Sequence, residues 1–191
     1  MNKKLIRDLS ILSILPLIYV ANSLEKGILL GAILLIVSMA LKGVSILSDK
    51  FLERRISTYV KLMLGAALIL VIQVVLSAYF TLDQLFSLYL SLILFNVNVM
   101  YKEEETLNVV EHLISNVAAI VLIIVIAFFR EFLGTGAITF KTIANFSTVI
   151  FESQYAIGFL TNASGGFILA GFTFGILNAI PLEREEKADV I

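Results

Sequence analysis

Two short patterns in this chain hold the side chains that could do chemistry. One is Arg130-Glu131-Phe132-Leu133-Gly134-Thr135-Gly136, a charged pair and two glycines at the end of a long apolar run. Arg130 and Glu131 can close a helix at a lipid boundary, while Gly134 and Gly136 permit positive φ and a sharp turn. A plain helix cap and turn is the simpler reading of the same string. The other pattern is Phe95-Asn96-Val97-Asn98, two carboxamides inside an apolar segment. An unpaired amide in hydrocarbon is costly, so Asn96 and Asn98 must bond to neighbouring helices or line a polar path near the membrane midplane. Their spacing of two puts them on different helical faces, which suits an unwound segment better than a regular helix. Pro16 interrupts a second apolar run in a comparable way.

Other chemistry is excluded by what is missing. The 191 residues include no cysteine and one histidine, His112. Disulfides, thiol catalysis and thiolate-held metals are therefore ruled out. Lys102-Glu103-Glu104-Glu105 is acidic, but it follows a membrane exit and reads as a solvated run, so no metal site is expected. A net charge of −1 gives no basic field for nucleic acid.

The elements that must position these residues are membrane helices. Apolar residues make up 59% of the chain and mean hydropathy is +0.99, beyond the roughly 45–50% of soluble domains. A hydrocarbon core about 30 Å thick takes roughly 20 helical residues. The runs 27–47 and 59–80 meet that length, and 112–129 and 163–180 come close to it. Lys3, Lys4 and Arg7 followed by an apolar stretch resemble a signal peptide, but we read 9–21 as the first membrane segment. It is short and contains Pro16; the fourth segment, 85–101, is short and contains Asn96 and Asn98. The expected fold is therefore an all-α integral membrane bundle of six transmembrane segments. It forms a single membrane domain, 1–191, of two inverted three-helix repeats, about 1–80 and about 85–181, with short or broken first and fourth helices. Interruptions at matching positions of two halves point to a midplane site.

Of the fourteen Lys and Arg residues, all but Lys26, Arg130 and Lys141 fall on the side shared by both termini. Both termini are expected to be cytoplasmic. Lys42 and Lys61 lie close enough to an interface to snorkel. The stretch 140–160 interleaves apolar and polar residues in a pattern that suits a helix lying at the membrane interface, or a cap over a partner. Small residues Gly27 and Gly31, and Gly166, Ala170, Gly171 and Gly175, are spaced for close helix packing.

With these residues in hand, the chain resembles the E-type membrane subunit of the Rnf ion-translocating oxidoreductase and its D-type counterpart in the Na⁺-translocating NADH:quinone reductase. Arg-Glu-x-x-Gly-x-Gly after the fifth segment carries the resemblance most specifically, and the closing Asn178 and Pro181 support it. The family commonly has one cysteine before the first-helix proline and another after an asparagine of the fourth helix, which help hold an intramembrane iron–sulfur cluster. Those places are Leu15 and Val97 here. The resemblance thus implies a divergent member lacking the cluster cysteines: a prokaryotic inner-membrane subunit paired with a homologous A-type subunit. Flavins and iron–sulfur clusters belong to partner subunits, in a complex that moves Na⁺ or H⁺, and this chain alone binds no cofactor and has no catalytic residues of its own. An independent inverted-repeat secondary transporter and a structural assembly subunit are the alternatives.

Overall fold

The computed structural model describes residues 16–51, 54–79, 84–93, 109–141 and 146–179. Leu15, Asn96, Val97 and Asn98 lie outside them. Residues 16–20 are helical, and the helix stops at Ala21-Asn22-Ser23. The chain then continues as α1 (Leu24–Phe51), α2 (Arg54–Tyr79), α3 (Gln84–Leu90), α4 (Val109–Thr135), the hairpin β1 (Ala137–Phe140) and β2 (Phe146–Val149), two 3₁₀ turns, and α5 (Ala163–Ala179). Three helices are long and apolar enough to cross a membrane, through Leu24–Leu47, Tyr59–Tyr79 and Asn116–Thr135. The 17 residues of α5 are equally apolar but slightly short. The seven-residue α3 ends in a turn in which Leu92 N donates to Tyr89 O at 2.9 Å. Among the described residues, the helix before α1 thus ends at Val20, and α3 ends at Leu90.

The centre of the bundle is the seam between α1 and α4. Leu30, Leu34, Val37 and Leu41 are buried there with Ile123, Ile126 and Ala127. A Cβ on Gly27 would lie 2.6 Å from Ala127 Cβ, and one on Gly31 would lie 2.7 Å from Ile120 Cγ2. Numbers rise on α1 as they fall on α4, so the two helices run antiparallel, and glycine lets them approach this closely. Gly166 also packs tightly. Gly171 and Gly175, however, meet nothing within 4 Å and face away from the bundle.

The outward faces are apolar. On α2, Leu70, Val71, Val74 and Val75 are all at least half exposed, a continuous patch that water would not tolerate on a monomer but lipid or a partner helix would. By contrast, Lys42 and Lys61 do not snorkel outward. They are buried, as are Ser38, Ser45 and Ser57, and Lys42, Ser45, Ser57 and Lys61 each engage a partner. Long charged side chains within membrane spans turn inward where partners in the protein receive them.

The stretch expected as an interfacial helix is instead a hairpin with two 3₁₀ turns. β1 and β2 pair antiparallel from Ala137↔Val149 to Phe140↔Phe146. The cause is local. Gly136, at φ +73°, ends α4 by turning into the left-handed region, and its N–H donates to Phe132 O at 3.1 Å. Ile138, Thr139, Phe140, Phe146, Thr148 and Val149 then prefer extended backbone, and Glu131 pins the first strand, as described next.

Candidate functional site: a clamped helix break

The structure gathers the charged pair Arg130–Glu131 against the break at residues 21–23. Both side chains are buried, at 1% and 3% exposure, near the end of α4. Adjacent helical positions differ by about 100°, so the two side chains diverge and reach the two sides of the break.

Arg130 takes the C-terminal side. Its Nη1 donates to Ile18 O at 2.7 Å, Tyr19 O at 3.1 Å and Ala21 O at 3.3 Å. Nε donates to Leu160 O and Nη2 to Thr161 O, both at 3.0 Å. The last carbonyls of a helix have no intrahelical donors and carry its negative dipole end. A guanidinium, with five N–H groups in a planar fork, satisfies several of them at once. All the hydrogen-bond partners of Arg130 among the described residues are main-chain carbonyls.

Glu131 takes the N-terminal side. Its Oε2 accepts from Leu24 N at 2.7 Å, at the start of α1, where the dipole is positive. Its Oε1 accepts from Thr139 N at 2.9 Å and Thr139 Oγ1 at 2.6 Å, which anchors β1. Ser23 Oγ accepts from Lys26 N at 3.3 Å, and Glu25 Oε2 accepts from Lys141 N at 3.0 Å. The hairpin is thereby tied to the first turn of α1 at two points.

The glycines make room for this arrangement. Gly134 is helical, not left-handed as the string suggested. A Cβ there would lie 2.8 Å from Thr161 Cγ2, so its role is to admit the 158–161 turn. A Cβ on Gly166 would lie 3.0 Å from Arg130 Cζ, so α5 cedes space to the guanidinium. At Gly136 a side chain would be strained by its φ and would meet Phe151 O at 2.7 Å. Beside the clamp lies a polar cavity of about 240 Å³, whose walls include Tyr19, Asn22, Lys26, Arg130, Thr161 and Asn162.

Sequence reasoning placed the Arg-Glu pair at a helix end but missed its targets, the carbonyls of Ile18, Tyr19 and Ala21. The one available signal was an arginine at the end of a long apolar run whose neighbouring acid, at the next position, points to a different side of the helix. Pro16 opens the described part of the first helix and is exposed. Asn116, on α4, is fully buried, and neither atom of its amide has a hydrogen-bond partner among the described residues. Among those residues no group of three or more His, Cys, Asp or Glu side chains is placed to hold a metal.

Residues 3–174, nearly the whole chain and including the clamp, match the family described as Rnf-Nqr subunit, membrane protein. The chain belongs to the Rnf-Nqr family. It is 28% identical over 189 residues to the D-type subunit of the Na(+)-translocating NADH-quinone reductase of Haemophilus influenzae strains PittGG, Rd and 86-028NP. Those alignments cover 94% of this chain and 89% of each relative. In this Rnf-Nqr chain, Arg130 and Glu131 form the clamp, and Gly134 and Gly136 give the chain around it the room and the turn it needs. An iron–sulfur cluster held by this chain does not fit its donor set. Clusters need thiolates or occasionally imidazoles, and the sequence contains no cysteine and a single histidine.

Proposed function

We propose that this chain is an integral membrane subunit of an ion-translocating, NADH:quinone-reductase-like or Rnf-like complex, and that it serves as scaffold and not as a cluster ligand. The observation that supports this most is the family match over residues 3–174, joined to relatives named as a reductase subunit. In this reading the chain crosses the inner membrane of a prokaryote six times as two inverted repeats, with both termini cytoplasmic. It pairs with a homologous A-type subunit, and flavin- and iron–sulfur-bearing subunits complete the electron path. With Leu15 and Val97 at the cysteine positions, any intramembrane cluster takes its thiolates from partners. The exposed apolar faces of α2 and α5 support a role in which helices of other subunits, as well as lipid, cover the bundle. The interruptions carrying Pro16, Asn96 and Asn98 are the proposed midplane positions.

The test is to tag the C-terminus, extract the chain in mild detergent, and identify what co-purifies by mass spectrometry with iron analysis alongside. Recovery of an A-type homologue with flavin and iron–sulfur subunits is the expected result. Iron that stays with this chain once its partner subunits are removed would contradict the scaffold role. A stable, iron-free protein purified alone would replace the complex with an independent transporter.

A further inference from the structure

Five main-chain carbonyl oxygens converge on one point of this fold. Ile18, Tyr19 and Ala21 present theirs from the end of the first helix; Leu160 and Thr161 present theirs from the turn before α5. Carbonyls freed at a helix break, at a negative dipole end inside a membrane protein, are what desolvated monovalent cations bind. Here the position is held by the guanidinium of Arg130, 1% exposed, and Gly166 is cut away to admit it. Every acceptor it hydrogen-bonds is a neutral main-chain carbonyl, so its direct contacts are with dipoles and not with a carboxylate. That is the electrostatics of a cation site and differs from a salt bridge, where a carboxylate would supply the counter-charge.

We propose that these five carbonyls form a monovalent-cation site that the chain fills with its own Arg130, closing the first helix break to any transported cation. Glu131 does not compete for the guanidinium, because its two oxygens are spent on Leu24 and Thr139. The inference rests on the geometry of the break and not on membership of a redox complex, so failure of the co-purification leaves it standing.

Its test is chemical rescue on the full chain in lipid nanodiscs. The wild-type thermal midpoint should be the same in choline, Na⁺ and low-millimolar guanidinium. Arg130→Ala should lose roughly 10 °C in choline and regain at least half of the loss in guanidinium or Na⁺, which enter the emptied site. Arg130→Met, which fills the same space without charge, should stay low in every salt. If Arg130→Ala is not recovered, Arg130→Lys decides: it should be recovered, with a smaller loss that guanidinium reduces. A recovered Arg130→Ala or Arg130→Lys indifferent to every cation, or an Arg130→Met as stable as wild type, would overturn the proposal.

Discussion

The seam between α1 and α4 and the outward faces of α2 and α5 use similar residues to opposite ends. On the seam, Gly27 and Gly31 touch Ala127 and Ile120, and the side chains around them are buried. On α5, Gly171 and Gly175 have the same four-residue spacing but open onto an apolar groove that Ile168, Phe172 and Ile176 also line. The difference shows that small-residue spacing specifies a contact surface and not which contact is made. Within the chain, the seam's contact is secured because Arg130 and Glu131 tie its end to the rest of the fold.

Breaking the clamp should have the largest effect. Glu131→Ala removes the acceptor of Leu24 N, Thr139 N and Thr139 Oγ1 together, and should cost about 3–5 kcal/mol, read as a lowered thermal midpoint and protease cleavage in the hairpin. Filling the seam comes next. Gly31→Leu should cost about 2–3 kcal/mol, because its side chain would collide with Ile120, and detergent-extracted protein should aggregate at lower temperature. Gly136→Ala should cost roughly 1–2 kcal/mol through its φ and its contact with Phe151 O, and the loss should be much the same with or without partner subunits. Asn116→Leu should be neutral or stabilising by about 1 kcal/mol, because it removes a buried amide with no partner among the described residues. Smallest is Gly175→Leu. The isolated chain should change by less than about 0.5 kcal/mol, whereas loss of co-purifying subunits in that variant would show that a helix of the complex occupies the groove.

Much of the helical architecture was legible because hydrophobic length is a direct physical requirement of the bilayer. The segments around 27–47, 59–80 and 112–129 are visible without any knowledge of contacts, and each is a long helix here. The hairpin was not legible. Phe140, Ile143, Phe146 and Ile150 have a spacing close to a helical face, and what overrides it is the left-handed turn at Gly136, the extended preference of the strand residues and the anchoring of Thr139 by Glu131. Lys42 and Lys61 were misplaced for a related reason, since position along a span gives depth but not which side of the helix faces protein. At the clamp, residue types named the donors but could not name their acceptors, because main-chain carbonyls carry no sequence signature.

The carbonyls of Ile18, Tyr19 and Ala21 precede Arg130 by 112, 111 and 109 residues in the chain. A ribosome adding about 5–20 residues per second makes that gap on the order of ten seconds. Throughout that interval the carbonyls that Arg130 caps in the folded chain are without that donor. Maturation of the amino-terminal segment is thus coupled to arrival of the second half of the polypeptide, and a chain released before Arg130 emerges would present quality-control proteases with an open helix end.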